Sequence, residues 1–138
     1  LEFSGAIGLE QLNKLPSFID QRRKNHIVFN NLFKDDKRFI LQKEIGESSW
    51  FGFSMVLSKT SGLKRQTVLD RLKKNNIDYR PIVSGNFCNS ESLKYYDYEF
   101  HETVENAEYI DQNGFFIGNH HYDLKENIEF LKKILSEI

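Results

Sequence analysis

The chain has one cysteine, Cys88, so no intrachain disulfide can form and no Cys-x-x-Cys redox or zinc pair exists. That usage fits a reducing, cytoplasmic setting. Two prolines and eight glycines among 138 residues are too few for a linker or a disordered tail. No apolar run reaches the roughly 20 residues of a membrane-spanning helix. The most apolar stretch, Trp50 to Leu57, is broken by Gly52 and Ser54. Charge of one sign is also lacking: 19 basic and 20 acidic residues leave a net charge of −1. Bulk nucleic-acid binding and polybasic membrane attachment both need a surplus of Lys and Arg, so neither is expected. The single methionine is Met55 and the sequence opens on Leu1-Glu2-Phe3-Ser4, which reads as a piece of something longer.

What is present is one domain's worth of alternating helical and extended patterns. Ile7, Leu12, Leu15, Ile19, Phe29 and Phe33 recur at near-helical spacing over residues 5–33, with Pro16 predicting a kink or two helices in series. Strands are expected over 37–45 and 49–59; in the second, Phe51, Phe53, Met55 and Leu57 alternate as one buried face. A helix over 64–74 presents Val68, Leu69 and Leu72 to the core and stops at Asn75-Asn76. Further elements are a strand over 77–83, short helices over 91–96 and 104–112, and a strand at Phe115-Phe116-Ile117. A last helix opens at Asp123 with Glu126 in a capping-box-like arrangement. Its stripe is Leu124, Ile128, Leu131, Leu135 and Ile138. Short strands among helices predict an α/β (α+β) domain, a small sheet with helices packed on it.

Polar, permissive residues interrupt the apolar pattern in two loops. In the segment Tyr79 to Phe87, Arg80 stands beside Pro81 at a strand end, where a planar guanidinium can meet a carboxylate or phosphate; a structural salt bridge is the alternative. Gly85 allows a bend or a close approach. In the segment Phe116 to Asp123, His120 and His121 follow a strand. Neighbouring side chains on an extended segment point to opposite faces, and His26 and His101 have no ligand spacing to the pair, so no metal site is expected. Contact of one of the pair with a substrate is the better reading. Cys88 reads as a buried bystander, and Tyr95, Tyr96, Tyr98 and Phe100 as packing. A third segment, Ser4-Gly5-Ala6-Ile7-Gly8-Leu9, lets a helix start lie close to another backbone.

Four collinear segments carry a more specific signal: Ser4 to Asn25 (SGAIGLEQLNKLPSFIDQRRKN), Trp50 to Leu57 (WFGFSMVL), Tyr79 to Phe87 (YRPIVSGNF) and Asn106 to His121 (NAEYIDQNGFFIGNHH). Together they resemble the C-terminal part of the DegT/DnrJ/EryC1/StrS family, pyridoxal-phosphate-dependent sugar aminotransferases and dehydrases of fold type I. The resemblance implies the small C-terminal domain of the aspartate-aminotransferase fold: a short, mostly antiparallel sheet packed with helices and preceded by a long kinked helix. It divides the chain into a linking helical segment over 1–34 and the small domain over 35–138. Arg80-Pro81 followed by Ser84-Gly85-Asn86-Phe87 looks like the branch containing C3-dehydrases of nucleotide 4-keto-6-deoxysugars, a branch that also holds aminotransferases.

The resemblance further implies pyridoxal or pyridoxamine phosphate as cofactor, a nucleotide-sugar substrate and glutamate as possible amino donor. It also implies a cytoplasmic homodimer serving cell-surface polysaccharide or deoxysugar synthesis. The lysine or histidine that does the chemistry belongs to the family's large N-terminal domain, so this segment is expected to be inactive and cofactor-free by itself. Its own expected contribution is a substrate-binding wall made by Arg80, Ser84, Asn86, His120 and His121. A non-catalytic nucleotide-sugar-binding or dimerisation module is the alternative.

Overall fold

In the computed structural model, which describes residues 2–138, a helix of 32 residues opens the chain, α1 over Glu2–Phe33. It runs through Pro16 without dividing into the two helices that the proline suggested. Pro16 cannot donate to the carbonyl one turn back, but the surrounding turn is exposed, and water can take up the freed acceptor. The apolar positions of α1 have divided fates. Phe29 and Phe33 are buried, whereas Ile7, Leu12 and Leu15 are exposed.

The remaining elements are β1 (Phe39–Leu41), β2 (Gly52–Leu57), α2 (Arg65–Lys74), α3 (Glu105–Asn113), β3 (Gly114–Gly118) and α4 (Lys125–Ser136). The sheet has the order β1-β2-β3 and both pairs are antiparallel, with Phe39 opposite Leu57 and Met55 opposite Phe115. Phe53, Met55 and Leu57 turn to one face, as their alternation demands, and pack with α1, α2 and α4. The stripes of α2 and α4 enter the same core, with Ile134 joining it and Ile138 half-buried.

Phe51 breaks the expected alternation. Trp50 has φ of 52°, and this left-handed residue reverses the phase of the strand entry. Trp50 is therefore buried and Phe51 is 71% exposed. The strand expected over 77–83 shrinks to a single bridge between Arg80 and Phe116. Pro81 lacks an N–H, and Val83 and Gly85 have φ of 51° and 66°, so the chain turns away from the sheet. The packing expected of Tyr95, Tyr96, Tyr98 and Phe100 is not observed. All four are exposed, Tyr95 at the end of a 3-10 helix over Glu91–Tyr95 and the others on the irregular segment after it, with only Tyr98 and Phe100 in mutual contact.

At the start of α4 the expected capping box is replaced. Asp123 Oδ1 accepts from the Lys125 amide at 2.9 Å, and the Leu124 amide is taken by Asn25 of α1. Asn76, with φ of 57°, stops α2 as predicted, while Asn75 donates back to the Arg71 carbonyl. A charge network ties β1 to the C-terminal end of α4: Asp36 accepts from Arg38 and Lys132, and Arg38 Nη1 donates to the Leu135 carbonyl at 2.7 Å. No described helix is long and apolar enough to cross a membrane.

Candidate functional site

The C-terminal end of β3 gathers the two loops that the sequence singled out. Phe116 forms both bridge hydrogen bonds with Arg80, at 3.0 and 2.8 Å, so the guanidinium is carried on a backbone locked to the sheet. One residue beyond the end of β3, the Asn119 amide donates to the Phe51 carbonyl at 3.2 Å. Phe51, Tyr79, Arg80, Phe116 and Asn119 thereby line a groove of about 280 Å³. Arg80 is exposed and has no ion-pair partner among the described residues. An exposed guanidinium over an aromatic-walled groove can receive a carboxylate or phosphate in a fork of hydrogen bonds.

Phe51 and Phe116, with ring centroids 6.0 Å apart, form a ridge. On its other side lies a second groove of about 360 Å³ whose walls include Trp50, Ile82 and Val83. The ridge depends on Gly52, because a Cβ there would lie 2.7 Å from the Phe116 ring. Sequence reasoning placed neither Phe51 nor Phe116 at the site, since both read as strand core. The only local signal is the Trp-Phe-Gly order, in which a glycine admits a neighbouring ring.

Ser84 is exposed in the turn closed by the Gly85 amide on the Ile82 carbonyl at 2.9 Å. Asn86 is buried and its side chain works inside the loop. Its Oδ1 accepts from the Cys88 amide at 3.1 Å and its Nδ2 donates to Glu108 at 2.8 Å. The amides of Asn86, then Asn89 and Gln112, hold the Glu108 carboxyl below its ordinary range. Asn86 thus fastens the Arg80 loop to α3.

His120 and His121 are both exposed, but their rings do not point to opposite faces. The strand ends at Gly118, and the ring centroids lie 4.6 Å apart. His120 stacks on Tyr122 at 4.3 Å, and His121 lies 4.2 Å from Phe18 of α1. Among the described residues, no group of three His, Cys, Asp or Glu side chains converges to hold a metal.

Behind the groove lie two buried amides that sequence reasoning missed. Asn119 Nδ2 donates to the carbonyls of Arg22 at 3.0 Å and Trp50 at 2.9 Å. Its Oδ1 accepts from Asn25 Nδ2 at 3.0 Å. Polar residues on a helix and in a loop look solvated in one dimension, and no local pattern marks a pair 94 positions apart.

Comparison with known proteins finds relatives along nearly the whole chain. Over 136 residues, 98% of this chain, the sequence is 52% identical to GDP-4-keto-6-deoxy-D-mannose 3-dehydratase of Escherichia coli O55:H7. A solved E. coli GDP-4-keto-6-deoxy-D-mannose 3-dehydratase with bound hydrated pyridoxal phosphate superimposes with a TM-score of 0.94 at 51% identity over 98% of this chain. A mutant GDP-4-keto-6-deoxymannose 3-dehydratase with bound GDP-perosamine gives a TM-score of 0.95 at 51% identity over the same share. In each comparison this chain spans 35% of the relative's length. The profile of the DegT/DnrJ/EryC1/StrS aminotransferase family matches residues 1–129, and the chain belongs to that family.

Proposed function

We propose that this chain is the C-terminal third of a pyridoxal-phosphate-dependent 3-dehydratase. Its substrate class is a nucleotide-linked 4-keto-6-deoxysugar of the GDP-4-keto-6-deoxymannose type. The observation that carries the reading is the 52% identity maintained over 98% of the chain. The same identity favours dehydration over amino transfer, because the relative is a 3-dehydratase by name.

In this reading the end of β3 is one wall of the substrate cleft. Arg80 meets an anionic group of the sugar nucleotide, and the Phe51–Phe116 ridge offers a flat apolar surface beside it. Ser84 and one of His120 and His121 contact the ligand from the loop rims. Asn86 acts indirectly, by fixing the Arg80 loop on α3. The groove is lined by the Arg80 guanidinium, the rings of Phe51, Tyr79 and Phe116, the Asp78 carboxylate and the Asn119 amide, with no lysine among them, and so does not form a cradle for the cofactor. The cofactor, an electron sink when bound, is assigned to the part of the longer polypeptide that this chain does not span, and no step here runs through it.

Residues 1–34 are read as the segment linking the two parts, with its exposed Ile7, Leu12 and Leu15 directed to the other part. Its last turns belong physically to the small domain, since Phe29 and Phe33 lie in the core of residues 35–138. A homodimer, glutamate as the group donor and a cytoplasmic role in cell-surface sugar synthesis complete the reading.

The test is turnover by the longer polypeptide supplied with pyridoxal phosphate, L-glutamate and GDP-4-keto-6-deoxymannose. Loss of the C3 hydroxyl, seen as a 3-deoxy sugar nucleotide by mass spectrometry, is expected. A 4-amino product retaining that hydroxyl would assign amino transfer instead.

A further inference from the structure

The geometry points to Asn25 as a positioning residue for the His120–Tyr122 loop, an inference that rests on the cleft assignment made above. Asparagine is a poor choice for the interior of a helix, because its amide competes with backbone hydrogen bonds. Asn25 nevertheless sits inside α1 and is 1% exposed. Its Nδ2 lies 3.0 Å from Asn119 Oδ1, 3.0 Å from the His120 carbonyl and 2.8 Å from the Tyr122 carbonyl. Three acceptors share two hydrogens. Its Oδ1 accepts from Gln21 Nε2 at 3.0 Å and from the Leu124 amide at 3.2 Å. One side chain therefore grips the loop backbone on both sides of His121 and sets where α4 begins.

The rings of the gripped residues are not in the core. His120, His121 and Tyr122 are all exposed, so the buried amides fix the backbone while the side chains face outward. Phe18, two helical turns before Asn25 on the same face of α1, braces the His121 ring. Asn119 continues the hold, joining the loop to the Trp50 carbonyl and hence to Phe51 on the groove. An apolar pair would fill this space without the cost of burying amides. What the amides add is directional placement of the loop, because their hydrogen bonds fix its backbone against α1. Displacement of a substrate-contacting group by about 1 Å can cost about a hundredfold in rate.

The test uses the longer polypeptide carrying its cofactor. In Asn25→Ser, KM for GDP-4-keto-6-deoxymannose is expected to rise at least about tenfold while the absorbance of the bound cofactor stays unchanged. The imidazole NMR signals of His120 and His121 are expected to shift, and that of the distant, exposed His101 to stay in place. Unchanged kinetics, or His120 and His121 signals identical to wild type, would overturn the proposal. Should Asn25→Ser fail to fold, Asn119→Ser is measured in the same way and the same outcomes decide. Failure of both to fold makes the pair a determinant of folding and overturns the positioning role. Full turnover by His120→Ala and His121→Ala, each measured separately, would remove the loop from the cleft and end this inference together with the histidines' part in the cleft. Shifted signals with normal turnover in Asn25→Ser would end only this one.

Discussion

The imidazole of His26 lies flat against the indole of Trp50, with ring centroids 3.3 Å apart and the planes 5° from parallel. Trp50 is buried in a left-handed backbone conformation, and its carbonyl is held by Asn119. The stack therefore supports the turn that throws Phe51 outward. His26 Nδ1 is buried without a hydrogen-bond partner among the described residues.

Burial lowers the His26 pKa below its ordinary value, against a smaller opposing effect of Glu44. Below the unfolded value of about 6.5 the unfolded chain binds more protons than the folded one, so stability is lost as pH falls through that range. Above it the contribution is complete. Urea unfolding followed by the fluorescence of Trp50, the chain's single tryptophan, should show a midpoint that declines on acidification through that range. In His26→Phe this part of the decline should vanish. An equal slope in the variant would assign it to other groups.

Asp36 gives a second pH dependence at lower pH. Hydrogen bonding from Arg38, followed by that from Lys132, holds its carboxyl well below the usual carboxylate range. Its contribution is full above the unfolded value of about 3.9 and is lost as pH falls further. Asp36→Ala leaves Arg38 and Lys132 without their shared partner and should cost about 3 kcal/mol at neutral pH, measured by chemical denaturation. Between pH 5 and 3, taken as the approximate carboxylate range, the variant should lose less stability than wild type.

Gly85 closes the turn that follows Arg80 and Pro81, on the Ile82 carbonyl. Its φ is 66°, and a Cβ there would collide with the Asp111 carboxylate of α3. Gly85→Ala should therefore lower stability by about 1 to 3 kcal/mol through backbone strain and displacement of the Asp111 side chain. Because Arg80 rides on the same loop, KM for the sugar nucleotide should rise as well. An unchanged unfolding midpoint would show that the turn relaxes without cost.

Much of the scaffold was legible in the sequence because it rests on short-range periodicity. The alternation of Phe53, Met55 and Leu57 and the stripe of Leu124, Ile128, Leu131 and Leu135 lie where their spacing put them. The site was legible only in part. Arg80 and the paired histidines stood out as polar breaks in apolar strands. Phe51 did not, because a single left-handed residue at Trp50 reverses the phase of everything before β2. Asn25 and Asn119 did not either, since their role exists only when α1 and the end of β3 meet. Pro16 left a kink or a division into two helices open, and the helix does not divide there, in a turn that is open to water.

The most direct measurement of the central claim is the KM for GDP-4-keto-6-deoxymannose in Arg80→Ala of the longer polypeptide. The side chain is exposed, and its backbone bonds to Phe116 survive the substitution, so the thermal midpoint should not move. Loss of a hydrogen bond to a charged group is worth about 1.5 to 3 kcal/mol, which corresponds to a rise in KM of roughly 10- to 150-fold. A KM within about twofold of wild type, a free-energy difference of only about 0.4 kcal/mol, would contradict the assignment of this groove to the substrate cleft.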